Sequence, residues 1–261
     1  MADQDLLVAR DADGCATVTL NRPAKRNAIN LAMWHGLRTT FEELGRAQDV
    51  RSILLTGSGG HFSAGADLSE FATLRATVAL GLAYEEAEKA ALLAILECGK
   101  PTIAQIEGYA IGGGCAVALA CDFRIAGSGA IFFIPAGRLG IVYSPLECEL
   151  LLRQVGLSNA KIILFSGERM SAAEAARLHL IDAVAEGDVG AAARQFARRF
   201  ATSGPISIAG HKVILDALVR GEAQARAAEF DHWIHLAMAS EDYAEGQRAF
   251  REKRAPVFKG V

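Results

Sequence analysis

The chain has little of several features that mark particular protein classes. Only 6 of its 261 residues are proline, 7% are aromatic, and no segment concentrates lysine or arginine. The 27 basic and 30 acidic residues leave a net charge of −3. Proteins that bind nucleic acid neutralise backbone phosphates with clustered basic side chains. The sequence therefore predicts no nucleic-acid partner.

Long apolar runs are also missing. The longest uncharged stretch, near Gly108–Cys121, falls short of the ~18 apolar residues that a membrane-spanning helix needs. Met1–Gly14 is acidic and has no apolar centre, so we expect no secretory signal there. The 5 cysteines form no C-x-x-C pair and are interpreted as small buried residues in a reducing compartment. We expect a soluble cytoplasmic protein without a membrane partner.

Common cofactor and metal motifs are absent from the sequence. There is no P-loop, no H-E-x-x-H and no G-x-S-x-G nucleophile elbow. The run Gly57–His61 begins like a dinucleotide fingerprint, but Phe62 stands where its third glycine belongs. His232 and His235, the pair most like a metal site, are expected to be surface or packing residues. We predict no bound metal and no resident cofactor.

The patterns that are present favour an α/β fold. Hydrophobic residues make up 51% of the chain, enough for a packed core. Strands alternate with helices in the first half, which is typical of α/β proteins. The predicted strands are 16–20, 52–56, 102–106 and 122–126, and the helices 30–47, 78–97 and one that ends near 120.

The second half is predicted to be helical. After Pro145 strand signals fade, and helices are expected at 146–154, 160–165 and 172–178. Ser203–Pro205 is the best candidate boundary, which divides the chain into a core of residues 1–202 and a helical region of residues 203–261. The helices expected in that region, 206–219, 222–238 and 242–251, dock on the core or on a neighbouring subunit.

Two segments rich in small residues carry the functional signal. In His61–Leu68 they lie between a predicted strand and a helix, and Gly112–Gly114 opens an apolar helix. Both can point unpaired backbone N–H groups into a cleft. Two such donors that converge form an oxyanion hole, worth ~2.7–4 kcal/mol per donor in acyl transfer. Each segment alone is better explained as a turn needed for tight packing.

Taken together, the two segments resemble the crotonase (enoyl-CoA hydratase/isomerase) superfamily. That resemblance implies a spiral of ββα units, a C-terminal helical trimerisation region, and a homo-oligomer that is a trimer or a dimer of trimers. It also extends over most of the chain, at Leu20–Pro23 with Asn27 and Ala28, Lys100–Ala104, Ala120–Asp122, Ser166–Ala172 and Ala249–Arg254.

The resemblance implies roles for particular residues. Ala66 and Gly113 match the positions that donate oxyanion-hole N–H groups to the thioester carbonyl. The positions that match contacts to CoA are Arg26 and Ala28 along the pantetheine and phosphates, Ala64 beside the adenine, and Phe250 and Lys253 toward the nucleotide, often from a neighbouring subunit. CoA would belong to the acyl-CoA thioester substrate, so no separate cofactor is implied.

The sequence departs from the family at its acid/base positions. The two glutamates of the hydratases fall at Ala116 and Ala136, and the acid of many isomerases falls at Ser144. A methyl group can neither activate water nor transfer a proton. Isomerase, lyase or decarboxylase chemistry is therefore favoured over hydration. The alternative is a scaffold that binds acyl-CoA without catalysis.

Other side chains could replace the missing groups. Leu139–Tyr143 is similar to a segment of methylmalonyl-CoA decarboxylase-like members, in which a tyrosine hydroxyl holds the departing carboxylate; the histidine that those members carry at position 66 is alanine here. A packed tyrosine is the alternative for Tyr143. Arg138 could pair with a substrate carboxylate or with another side chain. We expect Glu147 and Glu149 to be solvated charges. Asp67 is expected to brace a helix, and His61 to be a turn residue.

Overall fold

The computed structural model describes residues 4–261, which contain nine strands and eleven α-helices. Met1–Asp3, which begin the segment in which no secretory signal is expected, lie outside the described residues. The strands are Leu6–Arg10 (β1), Cys15–Leu20 (β2), Ser52–Gly57 (β3), Thr102–Ile106 (β4), Tyr109–Ile111 (β5), Phe123–Gly127 (β6), Ile131–Phe133 (β7), Arg169–Ser171 (β8) and Ala183–Ala185 (β9).

The helices become more frequent toward the C-terminus, as the sequence predicts. They are Leu31–Arg46 (α1), Phe71–Leu74 (α2), Val78–Leu96 (α3), Gly113–Ala120 (α4), Ala136–Leu139 (α5), Pro145–Ser166 (α6), Ala172–Arg177 (α7), Val189–Ala197 (α8), Pro205–Val219 (α9), Ala227–Ala239 (α10) and Glu241–Glu252 (α11).

Two sheets organise the spiral. Six strands form one sheet in the order β1-β2-β3-β4-β6-β9, and three form the other in the order β5-β7-β8. The strand pairs β4–β5 and β6–β7 divide between the two sheets: β4 pairs in parallel with β6 in the large sheet, while β5 pairs in parallel with β7 in the small one. A helix follows each of these two pairs, α4 after β5 and α5 after β7, so the second ββα unit stacks on the first. The predicted α/β fold, a crotonase-like spiral of ββα units, is confirmed.

Both faces of the large sheet are covered. In β3, Ile53 and Leu55 belong to the main core, which also holds residues of α1, α3 and α4. Leu54 points to the opposite face, where it packs in a second cluster with Val189 and Ala193 of α8. A parallel strand buried on both faces is apolar at every position rather than alternating. The run Ser52–Leu55 shows this pattern, and all four residues are buried.

The helix α9 is held to the core of its own chain. The Lys212 ammonium donates to Asp122 at 2.9 Å, and Arg220 pairs with Glu149 at 3.1 Å. Of the two docking sites that the sequence leaves open, this helix therefore uses the core. In contrast, α10 contains no buried residue and exposes Met238. The boundary between residues 202 and 203, just before α9, stays a prediction.

The helices expected at 146–154 and 160–165 are present as two helical segments of α6, separated at Gly156, whose φ of 73° and ψ of 168° are not helical. Other predicted elements need correction. Strands do occur after Pro145, as β8 and β9. The helix predicted from residue 222 begins only at Ala227.

Candidate active site

The turn after β3 forms one side of the site. Ser63 fixes it against β5, because its N–H donates to the Tyr109 carbonyl at 2.8 Å and its carbonyl accepts from the Ile111 N–H at 2.9 Å. The N–H of Ala64 donates to the carbonyl of Arg26 at 2.9 Å. The turn is thus bound on both sides by the backbone of other segments.

Gly65 lets the turn approach the start of α4. Its φ is +87°, and a Cβ there would lie 2.5 Å from the Ile111 oxygen and 3.1 Å from the Gly113 nitrogen. L-residues with a side chain rarely adopt this φ, and real Cβ atoms essentially never come so near a backbone oxygen. The turn therefore needs glycine at this position.

The N–H groups of Ala66 and Gly113 are free of backbone partners within residues 4–261. On either side of Ala66, the Gly65 N–H donates to Ser63 Oγ at 3.1 Å and the Asp67 N–H donates to the Ile29 carbonyl at 2.9 Å. Gly113 is the first residue of α4, where helical N–H groups have no acceptor one turn earlier. Both residues line one cavity, so the two residues with unpaired backbone N–H groups share the same cavity wall.

The cavity has a volume of about 130 Å³ and a largely apolar wall. Its lining includes Val142, which is among the most exposed large apolar residues that the structure describes. The other aliphatic residues that line it are Leu68, Leu139 and Ile141. An acyl chain is the kind of group that such a wall accommodates.

Four charged side chains among the described residues line the same cavity, namely Arg75, Glu85, Glu88 and Glu147, and the sequence analysis singled out only Glu147. Glu88 of α3 is 8% exposed and Glu147 of α6 is 9% exposed. The Arg75 guanidinium lies 3.5 Å from Glu88 Oε2, stacked 4.2 Å from the Phe71 ring centroid and 4.5 Å from that of Tyr84. The prediction that Glu147 is a solvated surface charge is wrong, because the first turn of α6 faces the cavity.

Burial changes the acidity of both glutamates. Burial, with the nearby Glu147 carboxyl, raises the pKa of Glu88 to about 8, even though Arg75 opposes the shift. Burial also raises the pKa of Glu147, against hydrogen bonds from Ser144. A carboxyl whose pKa lies near 8 is mostly protonated at pH 7. The protonated form of Glu88 is therefore favoured, and in that form the carboxyl can donate a proton.

Tyr143 lies in the same cavity. Its hydroxyl is buried and has no hydrogen-bond partner among the described residues. A Cβ on Gly112 would lie 3.9 Å from this hydroxyl, which places the hydroxyl near the start of α4. Burial raises the pKa of Tyr143 well above 10, so the hydroxyl stays protonated. A buried donor without an acceptor costs free energy unless a bound molecule accepts from it.

The three positions at which family members carry an acid, Ala116, Ala136 and Ser144, hold small residues in this structure. Ala136 lines the cavity at the first residue of α5, and Ala116 is buried within α4. Ser144 is the N-cap of α6: its Oγ accepts from the Glu147 N–H at 3.3 Å, while the Glu147 carboxylate accepts from the Ser144 N–H at 2.8 Å. The usual acid positions thus hold small side chains, while Glu88 of α3 and Glu147 in the first turn of α6 bring carboxyl groups to the cavity.

The remaining candidates have structural contacts outside the cavity. Arg138 donates to the Ser166 carbonyl at 2.9 Å, so its partner here is a backbone group. Glu149 pairs with Arg220, so the prediction that Glu149 is a solvated charge is wrong. His61 lies in the turn after β3, stacked on Tyr109 with 4.8 Å between ring centroids. Asp67 caps the following 3₁₀ turn by accepting from Ser69. Burial would raise the pKa of Asp67, but hydrogen bonds from Ser69, Lys25 and Arg22 hold it well below its usual range.

The residues assigned to CoA fall into two groups. Arg26, Ala28 and Ala64 lie together beside the turn that carries Ala66, and Ala64 lines the cavity. Phe250 is 86% exposed on α11 and Lys253 ends that helix; neither lines the cavity. Their assigned contacts to the nucleotide stay predictions.

A sequence signal for Glu88 does exist. It lies on the buried face of α3, four residues after Tyr84 and four before Leu92, both of which are buried. A carboxylate among apolar residues at helical spacing is unfavourable unless it has a partner or a function. Within residues 4–261 no group of three or more His, Cys, Asp or Glu could hold a metal ion, and no helix is long and apolar enough to cross a membrane.

Comparison with known proteins identifies the family. Residues 10–261 match the model of the enoyl-CoA hydratase/isomerase family. The chain belongs to this family. The 2,3-dehydroadipyl-CoA hydratase of Escherichia coli (strain K12) is 35% identical over 258 residues, which cover 98% of this chain and 99% of that one.

Solved structures of enoyl-CoA hydratase/isomerase family members also resemble the chain. An enoyl-CoA hydratase/carnithine racemase from Magnetospirillum magneticum has a TM-score of 0.93 at 34% identity, with 99% of this chain and 96% of that chain covered. An enoyl-CoA hydratase from Bacillus anthracis has a TM-score of 0.90 at 28% identity, with 99% and 100% covered. This protein is thus an acyl-CoA-processing member of the family.

Proposed function

We propose that the protein is an enzyme that binds an acyl-CoA thioester with its carbonyl oxygen between the N–H groups of Ala66 and Gly113. The observation that carries this proposal is that two unpaired backbone donors from separate segments line one cavity. When the bond to the α-carbon breaks, negative charge develops on the thioester oxygen as an enolate. Backbone donors that are already in position stabilise this charge without reorganising, and the N-terminal end of α4 adds its dipole.

The reactions favoured are isomerisation, lyase chemistry or decarboxylation. Hydration needs one group to activate water and one to handle the α-proton, and the two positions that supply them in hydratases are Ala116 and Ala136. The E. coli and B. anthracis proteins are named hydratases. We therefore expect this chain to hydrate crotonyl-CoA far more slowly than an efficient hydratase does.

Decarboxylation has particular support from Tyr143. Loss of carbon dioxide generates the enolate without a base, so the site needs only the two donors, a group that orients the carboxylate, and a proton source. The buried, unpartnered Tyr143 hydroxyl is a donor of the required kind. A carboxylated acyl-CoA, such as malonyl- or methylmalonyl-CoA, is the first substrate class to test.

CoA would lie along Arg26, Ala28 and Ala64. The tail residues Phe250 and Lys253 would contact its nucleotide, in part from a neighbouring subunit. Exposed apolar side chains on α9 and α10 support a homo-oligomer, either a trimer or a dimer of trimers. Light scattering on the purified protein measures its mass, and a monomer at micromolar concentration would contradict this assignment.

The deciding experiment is a panel of acyl-CoA thioesters with the purified wild-type enzyme. It includes crotonyl-, 3-hexenoyl-, malonyl- and methylmalonyl-CoA, and follows hydration, double-bond migration and carbon dioxide release. We expect turnover in the assays of double-bond migration and of carbon dioxide release, and negligible crotonyl-CoA hydration. A hydration rate typical of an efficient hydratase would overturn the reaction class, whereas tight binding of every thioester without turnover would indicate a scaffold.

A further inference from the structure

We infer that Glu88 is the group that gives a proton to, or takes one from, the α-carbon of the bound acyl group. The inference rests on the proposed function, since it assumes an enolate held at Ala66 and Gly113. It places the acid/base group on α3, away from Ala116, Ala136 and Ser144.

The first observation behind this inference is the position of the Glu88 carboxyl beside Gly113. A Cβ on Gly113 would lie 3.1 Å from Glu88 Oε1, so the carboxyl group lies against the residue whose N–H faces the thioester oxygen. The α-carbon is bonded to the thioester carbonyl carbon, so it lies within two bonds of that oxygen. A carboxyl group this close to Gly113 is therefore near the atom that must gain or lose a proton.

The surroundings of Glu88 keep it available for this transfer. Among the described residues, its side chain has one hydrogen-bond partner, Arg75, at the long distance of 3.5 Å. Arg75 is itself held over two aromatic rings, so it accompanies the carboxyl without fully neutralising it. Other ionisable groups facing Glu88 are Glu85 on the same helix, Glu147 from α6, and Tyr143. The two carboxyls disfavour the charged form, and Arg75 favours it.

The proton balance is simple in both directions. In the forward step the electron pair of the enolate forms a C–H bond at the α-carbon, the O–H bond of Glu88 breaks, and the thioester carbonyl is restored. Glu88 is left as a carboxylate and regains its proton from water. In the reverse step the carboxylate removes an α-proton and the enolate forms. The same group therefore acts as acid in decarboxylation and as base in exchange of the α-proton.

The test is exchange of α-protons for deuterium. Acetyl-, propionyl-, butyryl- and hexanoyl-CoA are each incubated with enzyme in deuterium oxide, and exchange is followed by proton NMR. With the thioester that exchanges fastest, we expect Glu88→Gln to lower the rate by about 10²–10⁴-fold. Glu86→Gln is the matched control, because Glu86 lies on the same helix and its side chain is 72% exposed; it should keep the wild-type rate.

The outcomes separate the two proposals. If the wild type exchanges none of the four thioesters, the proposed enolate function fails, and this inference fails with it. If the wild type exchanges and Glu88→Gln is equally fast, Glu88 is overturned while the enolate function stands.

A second measurement does not depend on the folding of a variant. Because the reverse step needs the carboxylate, the wild-type exchange rate should rise as pH increases through about 8 and then level off. A rate that stays flat between about pH 6 and 9 would overturn the inference.

Discussion

Gly65 and Gly113 lie so close together that a side chain on the first would contact the backbone nitrogen of the second, at 3.1 Å from Cβ to nitrogen. Neither segment alone forms the site, since one follows β3 and the other begins α4. The bridge between Ser63 and Ala110 sets their register. The spacing of the two proposed donors therefore depends on how these segments pack.

Replacing Gly65 by alanine should damage both stability and turnover. The new Cβ would lie 2.5 Å from the Ile111 oxygen, so one of the segments must move. Gly187 is the matched control, because its φ of +88° is nearly the same but nothing lies within 4 Å of its Cβ position. Gly187→Ala should cost about 1–2 kcal/mol of backbone strain, and Gly65→Ala clearly more. Urea unfolding and acyl-CoA turnover measure the two effects; equal losses for both variants would show that the close approach is unimportant.

Replacing Ala66 by proline removes the proposed N–H donor itself. We expect turnover to fall by about 10²–10³-fold, the effect of one oxyanion-hole donor, with some CoA affinity retained. Ala66→Gly keeps the N–H and should retain most activity. The measurements are steady-state turnover and acyl-CoA binding by calorimetry. Full turnover by a folded Ala66→Pro variant would contradict the assigned role.

Tyr143→Phe tests whether the hydroxyl holds a substrate carboxylate. A hydrogen bond to a charged group contributes about 1.5–3 kcal/mol, so decarboxylation of malonyl- or methylmalonyl-CoA should slow by about ten- to a hundredfold. Because the hydroxyl has no partner in the unliganded protein, thermal stability should not fall. Carbon dioxide release and a thermal melt measure the two effects. Unchanged decarboxylation together with lower stability would make Tyr143 a packing residue.

Glu88 should also make stability depend on pH. Its pKa is raised from 4.5 to about 8 in the folded chain, so the folded state favours the protonated form. Its stabilising contribution is complete below about pH 4.5 and is lost as pH rises toward 8. Between pH 4.5 and about 8, the unfolding free energy of Glu88→Gln should therefore fall by less than that of the wild type. The difference should be on the order of a few kcal/mol. Urea midpoints at several pH values measure it, with Glu86→Gln expected to match the wild type; identical slopes for Glu88→Gln and the wild type would argue against a raised pKa.

Much of the fold was predictable because its main elements are long and locally encoded. Asn30 predicts the start of α1, and its side chain does accept from the Met33 N–H at 2.8 Å. The strands β5, β7, β8 and β9 were missed because each has three residues, too few to show an alternating pattern. The break at Gly156 falls in the gap between the helices predicted at 146–154 and 160–165, so it was predictable as well.

The candidate site was predictable where it consists of backbone and not where it depends on side chains from distant segments. The two glycine-bearing segments carry their signal locally, and the resemblance to the family then assigned Ala66 and Gly113 within them. Glu88 and Glu147 come from α3 and α6, and only packing brings their carboxyl groups to the same cavity as Gly113. A family pattern directs attention to Ala116 and Ala136, whereas the buried acids here are elsewhere in the chain.

The reciprocal hydrogen bonds between Ser144 and Glu147 have a consequence for how this cavity could evolve. One carboxylate both starts α6 and sets the charge beside Glu88. A substitution that changes the cavity charge at residue 147 therefore also loosens the first turn of α6, and with it Tyr143, the residue just before the cap. Position 147 is constrained twice, so new substrate preferences are more accessible through residues that touch the cavity without capping a helix, such as Leu68 and Val142.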